Sequence, residues 1–374
     1  MSNPHGNGDA FIVTYHLHLE PGIDVDQFAR NICLEQTVEL SDDLIVEDSI
    51  RDRVVGKILS IQSRSRHIYE LKIAYQWQVA GHELPQLLNV LFGNISLKHG
   101  IKWVDFEGQS PVLPGPKFGL EGLRKAVQAW NRPLVCTALK PMGSSPNVLA
   151  EMAYHLALGG LDIIKDDHGL ANQPFAPFEE RVRQVQAAVL KANRETGGNT
   201  LYFPNFVPQL DDFSEQLALC RQLGIRGLLV SPFLVGLDMI RALRAKGEFI
   251  LMAHPALSGG YFGHPHHGIE PGLLLGKWFR LMGADASIYP NVGGRFIFDL
   301  DTCQAINRGC RESLSHILPA FPVPAGGMSL QQIPQMRRLY GDDMIILIGS
   351  GLFREDPNLL QAARKFRLAV ENPL

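Results

Sequence analysis

No run of apolar residues in this chain is long enough to cross a bilayer, which excludes a membrane-spanning helix. The stretch Met1 to Asp9 lacks the apolar core of a secretory signal. Basic residues form no run, and 35 Lys and Arg against 38 Asp and Glu leave a net charge of −3. That balance argues against nucleic acid or an anionic membrane as partner. Cysteine is scarce: Cys33, Cys136, Cys220, Cys303 and Cys310 are odd in number, scattered and without a Cys-x-x-Cys pair, so they read as reduced thiols. No Gly-x-Gly-x-x-Gly turn marks a dinucleotide site. What these absences leave is a cytoplasmic protein of ordinary enzyme composition, 45% hydrophobic and 20% charged.

What is present begins with length. A chain of 374 residues suits a small domain followed by a barrel-sized one. Phe11 to Leu19 alternates in part like a half-buried strand, Pro21-Gly22 makes a turn, and Asp24 can cap a helix running to about Glu35. Strands at Val54–Ile61 and His67–Ala74 and a helix at Leu84–Leu91 complete a small α+β sandwich of ferredoxin-like order. Three prolines in Gln109 to Lys117 mark a linker, dividing the chain into 1–115 and 116–374.

Beyond Arg132, eight short apolar runs alternate with helical segments: Leu134–Leu139, Leu161–Ile164, Leu201–Phe206, Gly227–Val230, Phe249–Met252, Ala286–Tyr289, Phe321–Pro324 and Met344–Ile348. Eight βα units in about 240 residues match a (β/α)₈ TIM barrel. The second run ends in four ionisable groups, Lys165, Asp166, Asp167 and His168. Strand alternation sends Lys165 and Asp167 one way and Asp166 the other. Such a cluster at a strand's C-terminal end suits metal binding or proton transfer, although a solvated junction would read the same way. Lys140 ends the first run, Asn205 the third and His254 the fifth; Asn291 and Arg295 follow the sixth. Gly326-Gly327 after the seventh and Gly349-Ser350-Gly351 after the eighth stand where barrels often cradle a phosphate on backbone N–H groups. Gly263 to His267 holds three histidines but reads as polar rim.

These residues resemble the large subunit of RuBisCO, and more specifically its non-carboxylating relatives, the RuBisCO-like proteins of form IV. Gly160 to Asp167 is similar to the family's metal-site strand, and Arg132 to Pro141 to its first barrel strand with the catalytic lysine. Phe92-Gly93-Asn94 is similar to its N-domain asparagine loop, and Pro324 to Met328 and Ile348 to Gly351 to its phosphate loops. The resemblance implies that Lys165 reacts with CO₂ to give a carbamate and, with Asp167 and His168, binds Mg²⁺ or another divalent metal. A carbamate turns a cation into the anionic oxygen donor that Mg²⁺ prefers. It further implies Lys140 as acid/base and His254 as a contact to substrate hydroxyls. Arg295, Gly326, Gly327, Gly349 and Ser350 would bind substrate or its phosphate. Glu35 and Asn94 would reach across from the partner subunit of a homodimer with shared active sites.

Departures from the family pattern carry further meaning. His168 stands where a glutamate is expected, and imidazole favours Mn²⁺, Fe²⁺ or Zn²⁺ over Mg²⁺. Met142 replaces a lysine, Pro255 an arginine and Ala325 a serine, while Gly293-Gly294-Arg295 stands near an expected loop lysine. The second phosphate site thus loses its donors, and burying an uncompensated dianion there would cost several kcal/mol. The resemblance therefore implies a monophosphorylated ketose or keto sugar acid as substrate, enolised with a metal's help, and no CO₂ fixation. The enediolate's fate is isomerisation, as in relatives acting on methylthioribulose phosphate, or decarboxylation or carboxyl transfer. The alternatives are a methionine-salvage enolase or a non-catalytic sugar-phosphate-binding regulator on the same scaffold.

Overall fold

A computed structural model describes residues 10–314 and 317–371; Met1 to Asp9, read above for a signal-peptide core, lie outside them. Strands β1 (Ala10–His18), β2 (Lys57–Ser65), β3 (Ile68–Gln76) and β4 (Ile101–Glu107) come first. The chain continues through β5 (Leu134–Leu139), β6 (Ile163–Asp166), β7 (Leu201–Phe203), β8 (Gly227–Val230) and β9 (Ile250–Ala253). A two-residue β10 (Gly268–Ile269) precedes β11 (Ala286–Pro290), β12 (Phe321–Ala325) and β13 (Ile345–Leu347). Two compact units result: residues up to Leu113 with Ser258–Leu274, and Pro114–Leu257 with the residues from Leu275 on.

In the first unit, β1 pairs antiparallel with β3 and β4 in a sheet of order β10-β4-β1-β3-β2. Alternation drives this arrangement, since Phe11, Val13, Tyr15 and Leu17 of β1 are fully buried. The helix Val25–Glu35 starts where Asp24 accepts from the Gln27 N–H at 2.9 Å. A later helix, Leu84–Phe92, receives the Tyr15 hydroxyl on its Leu91 carbonyl at 2.5 Å. Together these elements make the expected ferredoxin-like sandwich, with β4 completing a βαββαβ order of which the sequence showed only βαββα. β2 starts at Lys57 rather than Val54 because Val54 closes the last turn of the helix Asp48–Arg53. Residues 258–274, assigned by sequence to the barrel, cluster instead with this unit, because Gly268 and Ile269 pair in parallel with Lys102 and Trp103 of β4.

In the second unit the described residues contain eight parallel strands in two four-stranded sheets, β13-β5-β6-β7 and β12-β11-β9-β8. A parallel bridge between Asn205 and Leu229 joins them on one side, and β12 lies beside β13 on the other, closing a barrel. Alternate residues of each strand fill its interior, among them Leu134, Cys136, Ile163, Phe203, Met252, Val323 and Leu347. β6 runs two residues later than its apolar run suggests, since Lys165 and Asp166 pair with Ala138 and Leu139 of β5. At the N-terminal foot, buried Arg132 grips Asp162 through two 2.7 Å bonds, fixing β5 against β6. All five cysteines are buried and free. Burial pushes the thiols of Cys33, Cys136, Cys220 and Cys310 up to about 12, which makes them poor nucleophiles at neutral pH. Among the described residues, no helix is long and apolar enough to cross a membrane.

Candidate active site

The period of two that fills the barrel also places the polar groups. On β5 the inward series Leu134, Cys136, Ala138 continues to Lys140; on β6, Ile163 leads to Lys165 and Asp167. On β9, Ile250 and Met252 lead to His254, and on β13, Ile345 and Leu347 lead to Gly349. Four strands thus deliver Lys140, Lys165, Asp167, His254 and Gly349 to the C-terminal mouth.

The structure brings these groups together. Lys140 Nζ donates to Asp167 Oδ2. The other carboxylate oxygen faces His168 Nδ1 at 3.6 Å, and the His168 ring stacks on that of His254 with centroids 4.3 Å apart and planes 12° from parallel. Lys165 lies buried beneath, its Nζ donating to the Asp166 carbonyl at 3.0 Å. Gly349 sits against Lys140, so that a Cβ there would lie 3.6 Å from Lys140 Cε.

Electrostatics follow from this packing. Burial lowers the Lys165 pKa. Burial pushes the Asp167 carboxyl up, but the Lys140 hydrogen bond and the fields of Lys165 and Lys140 outweigh it, so Asp167 stays below the usual carboxylate range. Loss of solvent lowers the His168 imidazole despite Asp167. Desolvation, reinforced by Lys165, His168 and Lys140, holds His254 well below its ordinary value. Near neutral pH the mouth therefore holds a carboxylate and two neutral imidazoles.

Three loops close the other part of the rim. Gly326 and Gly327 adopt φ of 92° and 103°, in the left-handed region that favours glycine. The Arg295 backbone N–H donates to the Gly326 carbonyl at 2.7 Å, while its guanidinium lies over the Phe296 ring at 4.9 Å. A Cβ on Gly294 would collide with the Gly326 carbonyl, and one on Gly351 with that of Met328. The loops after β11, β12 and β13 are therefore interlocked through glycine. Buried Asn291 pins them further, accepting from the Tyr340 hydroxyl at 2.7 Å. Ser350 is exposed in the last turn.

Glu35 and Asn94 lie in the first unit, next to each other. Asn94 Nδ2 donates to Glu35 Oε1 at 3.1 Å and to Glu39 Oε1 at 2.7 Å, and Lys98 pairs with Glu35 Oε2 at 3.1 Å. The Lys98 and Asn94 bonds hold the Glu35 carboxyl below its ordinary value. The Gly263–His267 histidines also belong to the first unit. His267 Nε2 donates to the Ser96 carbonyl at 2.9 Å, and His264 Nδ1 accepts from the His266 N–H at 3.1 Å.

Among the described residues, no three His, Cys, Asp or Glu side chains are arranged to hold a metal ion. Asp167 and His168 supply two donors, and the ammonium of Lys165 supplies none. As a carbamate, Lys165 would bring an anionic oxygen to the same inward face, so the donor set fits a divalent cation in that form. Sequence reasoning missed Arg181 and Tyr202, which hold Asp166 on the opposite face of β6. A buried carboxylate turned away from the barrel interior calls for buried donors, but the sequence does not single out Arg181 and Tyr202 as the ones that supply them.

Fold and site define an α/β-barrel enzyme that gathers lysines, a carboxylate and imidazoles at the strand C-termini. Residues 119–372 match the family model described as the ribulose bisphosphate carboxylase large chain, catalytic domain. The 5-methylthioribulose-1-phosphate isomerase of Rhodospirillum rubrum is 40% identical over 351 residues, 92% of this chain and 92% of that protein. The 2,3-diketo-5-methylthiopentyl-1-phosphate enolase of Bacillus licheniformis is 31% identical over 371 residues, 96% of this chain and 91% of the enolase. The crystal structure of a RuBisCO-like protein from Rhodopseudomonas palustris superposes with a TM-score of 0.87 at 37% identity, covering 98% of this chain and 99% of that one. The chain belongs to the RuBisCO large-chain family, within its RuBisCO-like branch.

Proposed function

We propose that this chain is a non-carboxylating, RuBisCO-like isomerase of a monophosphorylated ketose of the 5-methylthioribulose 1-phosphate type. One observation carries the reading: Lys140, Asp167, His168 and His254 meet at the barrel mouth over buried Lys165, in the same barrel as a glycine-built rim. Carbamylated Lys165 with Asp167 and His168 would hold Mg²⁺ or Mn²⁺. A divalent ion there supplies Lewis acidity that eases loss of the proton α to the substrate carbonyl. Lys140 carries a proton to or from the substrate carbon, and its Nζ is held in place by Asp167 between turnovers. His254, kept neutral, hydrogen-bonds a substrate hydroxyl. Backbone N–H groups of Gly326, Gly327, Gly349 and Ser350 take the single phosphate, with Arg295 at its edge. One C–H and one O–H bond break, and one of each forms at the neighbouring carbon and its oxygen, so the isomerisation needs no further reactant. A cytoplasmic location fits such metabolic chemistry.

The test is a panel of monophosphorylated ketoses and sugar acids in heavy water. Deuterium uptake into 5-methylthioribulose 1-phosphate or a close analogue is expected, together with an isomeric product. Ribulose bisphosphate with labelled bicarbonate should fix no label. Stoichiometric fixation, or no exchange with any compound, would overturn the reading.

The active unit is proposed to be a homodimer in which Glu35 and Asn94 of one subunit serve the barrel of the other. Their side chains form a polar cluster on the small unit, and a two-fold axis would create two equivalent composite sites. Asn94→Ala and Lys165→Ala proteins, each inactive alone, are expected to regain roughly a quarter of wild-type activity when refolded together in equal amounts. The estimate follows because about half the dimers are mixed and each has one intact site. Mixed dimers without activity would refute the sharing.

A further inference from the structure

Asp166 points away from the barrel interior and is fully buried. Its Oδ2 accepts from Arg181 Nε at 3.1 Å and from the Asn205 backbone N–H at 3.0 Å, while Oδ1 accepts from the Tyr202 hydroxyl at 2.8 Å. Arg181, itself without exposure, sends Nη1 to the carbonyls of Ala171 and Ala176, both at 2.7 Å. The Asn205 side chain is equally buried. Its Nδ2 donates to the His168 carbonyl at 3.0 Å and the Leu170 carbonyl at 2.8 Å. Arg181 by its side chain and Asn205 by its backbone N–H are anchored on one carboxylate, and their side chains hold the loop after β6 at four carbonyls.

That loop carries the site. Asp167 and His168 open it, and the Leu170 N–H closes a turn on the Asp167 carbonyl at 2.9 Å. Gly169 N–H donates to Asp167 Oδ1 at 3.2 Å. The Asn205 amide grips this turn on both sides of Gly169, at the carbonyls of residues 168 and 170. We propose that Asn205 is a positioning residue, which sets the Asp167–His168 pair in ligating geometry by clamping the turn behind it. The proposal rests on the metal-site reading above. Groups that orient metal ligands from behind set affinity without touching the ion, and their loss typically weakens binding about 10–100-fold.

Arg181 is a poor test, because its removal strands a buried carboxylate and threatens folding. Asn205→Ala is the informative variant, with Asn307→Ala as its match. Asn307 is also buried, and its Nδ2 donates to the Tyr289 hydroxyl at 2.5 Å and the Cys303 carbonyl at 2.9 Å, on the helix Leu300–Arg311. The readout is Mn²⁺ affinity of the full-length protein with bicarbonate present, followed by electron paramagnetic resonance, with Tm measured in parallel.

Asn205→Ala is expected to weaken Mn²⁺ binding about 10–100-fold. Asn307→Ala should lower Tm and leave the affinity unchanged. Tyr202→Phe, which removes one support of Asp166, should weaken binding in the same direction but less, and it carries the test if Asn205→Ala does not fold. Wild-type affinity in folded Asn205→Ala, or an equal loss in Asn307→Ala, would overturn the positioning role alone. A wild-type protein that binds no Mn²⁺ would remove the metal-site reading and this proposal with it.

Discussion

Lys165→Ala is expected to abolish both metal binding and α-proton exchange while leaving the barrel folded. The physical reason is location. Lys165 is the buried inward residue of β6, and Asp167 and His168 alone are too few donors for a tight divalent site. Lys165→Met, which keeps most of the volume and removes the amine, should fail in the same way. Wild-type exchange in either variant would sink the carbamate assignment. The companion change, His168→Glu, replaces an imidazole beside Asp167 with a hard oxygen donor. Preference should move from Mn²⁺ towards Mg²⁺, read as the ratio of exchange rates with the two ions. An unmoved ratio would show that His168 is not a ligand.

A second large effect is expected at Lys140. Its Nζ is bonded to Asp167, and its stem packs against Gly349, so the amine stands between the end of β6 and the last rim loop. Lys140→Met should lower kcat by about 10²–10⁴-fold, the usual contribution of a positioned acid or base. Metal affinity should survive, because Lys140 occupies Asp167 only as a hydrogen-bond donor. The variant also removes the group whose hydrogen bond opposes the effect of burial on the Asp167 carboxyl, so that carboxyl should titrate higher than in the wild type. Loss of Mn²⁺ binding together with kcat would make Lys140 structural instead.

Much of this arrangement was legible from apolar rhythm. Each of the eight barrel strands lies on or within two residues of its run, because a strand buried on both faces leaves an uninterrupted signature. The same rhythm read outward fixed the facing of Lys165 and Asp167 against Asp166. Non-local pairing was not legible. β4 follows the turn at His99-Gly100 and went unread, and β10 is two residues long, meeting β4 across more than 160 positions with no local pattern to announce it. The clamp on the β6 loop escaped for a related reason. Arg181 and Asn205 reach backbone carbonyls, and carbonyls are invisible in a sequence.

The glycine interlock of the last three loops limits where this scaffold can change. Gly294, Gly326, Gly327 and Gly351 touch neighbouring backbone or side-chain atoms so closely that a methyl group on any of them must displace something. That arc therefore tolerates few substitutions, least of all at Gly294 and Gly351, whose added methyl would meet a backbone carbonyl. Diversity has to enter on the remaining arc, where Met142 and Leu257 stand exposed after β5 and β9. A library confined to those two loops should alter which substrate is accepted while leaving the glycine-built rim unchanged.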